Sequence, residues 1–102
     1  MLSARSDLET SAELVRKALV PYNRKPDDVD VEILVERLLE YGSLLVDEVG
    51  AGDADGVAAS LADWRRLTSE GPGDGPLGYW NYARGLARTV RRLLAALTPA
   101  GR

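Results

Sequence analysis

Apolar residues recur every three or four positions along most of this chain, and nowhere do they alternate with polar ones over the length of a strand. Leu8, Ala12, Val15 and Leu19 fall on one helical face. Before them, Ser6-Asp-Leu-Glu9 has the Ser-x-x-Glu form of a capping box, and Asp7 favours the positive end of a helix dipole. The spacing therefore predicts a first helix over about 7–20. Pro21 ends it, because proline has no amide hydrogen and restricts the residue before it; Pro21-Tyr-Asn-Arg-Lys-Pro26 reads as a loop.

Asp27, Asp28 and Asp30 then crowd the start of a second helix, where unpaired amides favour negative charge. Val31, Leu34, Val35, Leu38, Leu45, Val46 and Val49 keep one apolar stripe over 29–49, a helix about 30 Å long at ~1.5 Å per residue. Gly42 interrupts the stripe. An interior glycine costs roughly 1 kcal/mol against alanine, so it predicts either close approach by another helix or a bend. Gly50-Ala-Gly52 closes the helix, and Asp53 or Asp55 is placed to cap a third over 54–69, with Val57, Leu61, Trp64 and Thr68 as its core face and Ala58, Ala59 and Ala62 beside it.

Gly71-Pro-Gly-Asp-Gly-Pro76 reads as a flexible connector, and a fourth helix follows over 77–97. On a helical wheel Tyr79, Tyr82, Ala83, Leu86, Val90, Leu93, Leu94 and Leu97 share an arc of roughly 120°. Arg84, Arg88, Arg91 and Arg92 lie opposite, with Trp80 at the border. Four helices with short connections predict an all-α, antiparallel up-down four-helix bundle, one domain over 1–102 with 1–5 and 98–102 fraying at its ends.

Composition narrows the chemistry. The chain has no Cys and no His, which removes disulfides, zinc fingers, thiolate nucleophiles and imidazole bases together. No Ser or Thr sits in a nucleophile elbow, and the glycine-rich loop lacks the lysine and the preceding strand of a phosphate-binding motif. The reading is therefore non-enzymatic, with no cofactor. Asp53-Ala-Asp-Gly56 resembles part of a calcium loop, but Ala51 and Ala62 would fall where the first ligand and the bidentate acid belong. Glu32, Glu36 and Glu40, without a histidine, read as a solvated face, so no metal site is expected. No apolar run approaches the roughly 20 residues that span a bilayer, and the first residues lack a signal-peptide core, so the expectation is a soluble cytoplasmic protein.

Charge changes the picture again. A net −3 conceals about −8 over residues 1–63 followed by +5 over 64–102. Placed on helices, the acids form a strip of Glu32, Glu36, Glu40 and Asp47, and the bases form the arginine strip of the fourth helix. Both point away from their own core stripes, so contacts between molecules would use them. Ile33 and Leu44 also share a bearing outside the main stripe of the second helix, flanked by Arg37 and Tyr41. Either that helix is covered on two sides, or these residues meet a partner.

Tyr41-Gly-Ser-Leu-Leu-Val-Asp-Glu-Val49, Ala62-Asp-Trp-Arg-Arg-Leu67 and Tyr82-Ala-Arg-Gly-Leu-Ala-Arg88, with the glycine and proline break between the last two, resemble a family of small actinobacterial helical proteins labelled as natural-product biosynthesis proteins. The resemblance covers roughly residues 30–97. This chain departs from it in lacking a histidine at the end of the fourth helix and in a shorter connector before the third. The resemblance implies a cytoplasmic helical accessory protein and transfers no catalytic residue.

The leading expectation is thus a protein-interaction module, accessory or regulatory, that binds a protein partner or itself as a homodimer. Its contact residues would be Ile33, Arg37, Tyr41 and Leu44 on the second helix and Trp80, Arg84, Arg88, Arg91 and Arg92 on the fourth. The alternative is a small-ligand site lined by Trp64, Tyr79, Trp80 and Tyr82. Binding of nucleic acid or an anionic membrane by the arginine face ranks lower, because the acidic remainder of so small a protein repels polyanions.

Overall fold

The computed structural model describes residues 5–50, 57–75 and 77–97. They form α1 (Arg5–Ala18), α2 (Asp28–Gly50), α3 (Ala58–Glu70) and α4 (Gly78–Leu97), with no strand among the described residues. The protein is an all-α four-helix bundle. Successive helices run antiparallel: late residues of α4 meet early residues of α3, as where Arg92 reaches Asp63, while Leu67 near the end of α3 faces Gly85.

Element ends differ slightly from expectation. α1 starts at Arg5, two residues early, and the side chain of Ser6, on which the capping box depends, lies outside what is described. Within the expected loop, Tyr22–Arg24 makes one 3-10 turn in which the Arg24 amide donates to the Pro21 carbonyl at 2.8 Å. Proline's fixed φ suits the start of such a turn. α3 begins at Ala58; Asp53 and Asp55, the expected caps, and the calcium-like Asp53–Gly56 run lie outside the described residues.

The core is arranged around α4. This helix packs against α1, α2 and α3, and most extensively against α2, its parallel neighbour across the diagonal of the bundle. Trp80, Ala83, Leu86, Ala87, Val90 and Leu93 are fully buried, as are Val31, Leu38, Leu45 and Val49 of α2. Because α4 is covered on more than one side, its buried arc is wider than the wheel predicts. It takes in Trp80, expected at the border, while Tyr79, expected in the core, is 48% exposed. Thr89 is also buried, its hydroxyl donating to the Gly85 carbonyl four residues back.

α3 keeps Val57, Leu61 and Trp64 of its expected face against the core but is turned slightly, so that Thr68 leaves it. Ser60 and Trp64 are buried and Leu67 half-buried, whereas Thr68, Ala58, Ala59 and Ala62 are exposed. The Thr68 hydroxyl instead donates to the Trp64 carbonyl at 2.9 Å. Trp64 accounts for the rotation, since its indole lies directly over Gly42 of α2. A β-carbon at position 42 would sit 2.6 Å from Cζ3 and 2.7 Å from Cζ2 of that ring. Of the two expectations for the interior glycine of α2, a close approach or a bend, Gly42 thus marks a close approach.

The glycine- and proline-rich connector is folded back rather than loose. Gly71 ends α3 with φ +71°, its amide donating to the Leu67 carbonyl at 2.9 Å. The chain then turns so that the Gly78 amide donates to the Gly75 carbonyl, and a β-carbon on Gly78 would come within 2.7 Å of the Gly73 carbonyl carbon. This contact seats the loop on the first turn of α4, and Gly71 and Pro72 of the same loop form one wall of a cleft described below.

Candidate functional site

A groove of about 870 Å³ runs between α1 and α2. Its apolar floor is Leu14 and Leu34, both buried, and Ile33 stands on the α2 wall with 49% of its surface exposed. Charges of both signs surround this floor: Glu9, Glu13 and Lys17 from α1, Asp30 and Arg37 from α2. Arg24 and Pro26 close the end nearest the connecting turn. The Arg37 guanidinium also lies over the Tyr41 ring, 5.8 Å from its centroid.

The four residues expected to act together on α2 are therefore divided. Ile33 and Arg37 line the groove; Tyr41 is half-buried and packs on the core, and Leu44, also half-buried, is not part of the groove lining.

The arginine strip of α4 is divided as well. Arg88, Arg91 and Arg92 are exposed, with Arg92 bridging to Asp63 at 3.2 Å. Arg84 and Trp80 do not belong to that open surface, contrary to expectation. Arg84 donates through Nη1 to the Val20 carbonyl at 2.5 Å and to the Ala18 carbonyl at 3.2 Å, with its guanidinium 5.7 Å from the Trp80 ring centroid. Trp80 is completely buried beneath it. The physical reason lies in α1, whose last carbonyls have no donors within the helix and attract a cation. One signal for this was present in the sequence: helix 1 ends before a proline, with no glycine to cap it.

The expected aromatic pocket is not assembled as a unit. Trp64 and Trp80 belong to the core and line neither the groove nor a second, smaller cleft. Tyr79 and Tyr82 do meet in that cleft, a space of about 360 Å³ at the start of α4. Glu32, Val35, Glu36 and Leu39 of α2 face them there, and Gly71 and Pro72 of the folded-back loop close it. Burial, reinforced by Tyr79 nearby, pushes the Tyr82 phenol above its ordinary pKa of 10.0, so it remains a protonated donor. The combination of Glu32 and Glu36 with two tyrosines escapes a sequence reading because it requires α2 and α4 to touch across the diagonal. Among the described residues no three His, Cys, Asp or Glu side chains gather to hold a metal, and no helix is long and apolar enough to cross a membrane.

Residues 9–102 match the model of a family of unknown function, DUF6415. The chain belongs to that family. The DUF6415 match takes in every residue lining the groove and the cleft, so both cavities lie within the family's own domain. No curated protein and no solved structure matches the chain.

Proposed function

We propose that this DUF6415 chain is a non-enzymatic helical module, accessory or regulatory, that docks a protein partner or a second copy of itself in the groove between α1 and α2. The observation that carries this reading is Ile33. It is a large aliphatic side chain half exposed to water, beside the apolar floor of Leu14 and Leu34 and within a rim of mixed charge. Apolar centres with polar rims are how protein interfaces are built, and leaving such a side chain wet forgoes the favourable free energy of burying it. Arg88, Arg91 and Arg92 offer a second contact surface on the outer side of α4. The absence of Cys and His supports a non-catalytic role in the cytoplasm, and the resemblance noted above supports a place in actinobacterial natural-product biosynthesis.

The test compares wild type with Ile33→Asp by affinity capture from the native host and by sedimentation velocity. The reading requires a captured protein or a dimer in the wild type that Ile33→Asp abolishes, while helical circular dichroism is unchanged. A wild type that sediments as a monomer and captures nothing that the variant loses would end it. Arg88→Glu/Arg91→Glu measures what the second surface adds.

A further inference from the structure

Four groove residues of α2, Asp30, Ile33, Leu34 and Arg37, stand symmetrically about the midpoint between Ile33 and Leu34. The inner two are apolar and the outer two are opposite in charge. The α1 wall has the same polarity along its length: Glu9, Glu13 and Lys17 follow one another toward the connecting turn, with Arg24 beyond them. One end of that wall is therefore acidic and the other basic. Glu13 pairs with Arg16 on its own helix, and Arg37 lies over the Tyr41 ring. Among the described residues Glu9, Lys17, Arg24 and Asp30 enter no ion pair, so no bridge spans the groove within the chain. Val29, one turn before Ile33, is 67% exposed and extends the apolar surface of α2.

We propose that the occupant of the groove is a second copy of this chain, with α2 against α2, antiparallel, about a two-fold axis passing between Ile33 and Leu34. The proposal rests on the docking reading above and adds what docks and in which direction. A two-fold interface must be self-complementary, each residue meeting in the other copy the one that meets it. This axis sets Ile33 of each copy on Leu34 of the other and Asp30 on Arg37, so two ion pairs flank an apolar centre. Both charged residues lie only about 5 Å along the helix from the axis at ~1.5 Å per residue, so they meet at the crossing angles that packed helices adopt. The same axis reverses the groove, bringing the Glu9 and Glu13 end of one copy over the Lys17 and Arg24 end of the other. A parallel pairing would instead oppose Asp30 to Asp30 and Arg37 to Arg37, which like charges disfavour. A foreign partner would not require the symmetric order of charge on α2; a second copy does.

Sedimentation velocity of the full chain over a range of concentrations should show monomer and dimer in equilibrium. Asp30→Arg or Arg37→Asp sets like charges against each other at both junctions and should weaken the dimer about tenfold or more, with helical circular dichroism unchanged. Mixing the two variants in equal amounts restores opposite charges at both junctions, so a heterodimer near wild-type strength should form, which misfolded variants could not give. Direction is read with introduced thiols, since the chain has no Cys. Asp30→Cys mixed with Arg37→Cys should cross-link on oxidation, and Asp30→Cys alone should not. No recovery on mixing, or cross-linking of Asp30→Cys to itself, would overturn the arrangement. A wild type that stays monomeric yet captures a host protein lost by Ile33→Asp would overturn the second copy and leave the docking reading standing. A wild type that neither dimerises nor captures anything would end both.

Discussion

α2 and α4 are the two longest helices and lie against each other, yet they contribute to the bundle in opposite ways. α2 carries eleven Leu, Ile and Val residues and one arginine; α4 carries five Leu and Val residues and four arginines. By apolar content α2 should be the central helix. Yet α4 packs extensively on all three others, whereas α2 meets α3 mainly where Trp64 lies over Gly42 and leaves Glu32, Ile33, Glu36 and Glu40 in water. The difference lies in small residues. Ala83, Gly85 and Ala87 let neighbouring helices come near the α4 backbone, so that a β-carbon at position 85 would lie 3.3 Å from Leu67. Centrality follows from how closely a helix can be approached on several sides, not from how apolar it is.

This contrast can be broken most severely at Trp80. If α4 is the centre, Trp80→Ala removes its largest fully buried side chain and should cost ~3–5 kcal/mol in chemical denaturation. A loss below about 1 kcal/mol, the cost of an ordinary substitution, would mean that Trp80 is not a core residue. The next largest effect tests the close approach of α3 to α2 at Gly42. Gly42→Val pushes side-chain atoms into the Trp64 indole, and unfolding curves should show a loss of about 3 kcal/mol from overpacking. Tolerance of valine at 42 would show that Trp64 is free to move aside.

A smaller effect belongs to Arg84, whose hydrogen bonds join α4 to the end of α1. Arg84→Met keeps most of the stem but loses both carbonyl contacts, and should destabilise the fold by about 1.5 kcal/mol, as expected for hydrogen bonds to a charged group. Amide exchange at the end of α1 should accelerate at the same time. The smallest effect is on the outer side of α2. Ile33→Asp should alter stability by no more than about 0.5 kcal/mol, since the side chain is half in water already. A large loss there would move Ile33 from the surface to the core and remove the basis of the docking proposal.

Much of the fold is legible in the sequence. The four helices and the stripe of α2 follow from spacing, and the cost of an interior glycine leaves Gly42 as either a close approach or a bend, all local properties of the chain. The candidate sites were legible only in fragments. Ile33 stands out as an aliphatic residue off the main stripe, and the groove confirms that it is exposed. Trp80 and Arg84 misled, because a wheel drawn for one helix with one buried side places them outward. A second covered side reverses that placement. Thr68 misled for a related reason: the rotation of α3 is dictated by where Trp64 finds room over Gly42, a fact about α2.

What the sequence determined by itself, then, is the set of helices, their approximate ends and the side-chain types available to act, with no imidazole or thiol among them. Local spacing and the chemistry of single residues suffice for that. Which helix lies at the centre, which arginine turns inward to hold α1, and that Glu32 and Glu36 face Tyr79 and Tyr82 were decided only by tertiary structure. These depend on contacts between segments as much as 66 residues apart, as between Arg84 and Ala18, and packing volume, which no single helix contains, selects among them.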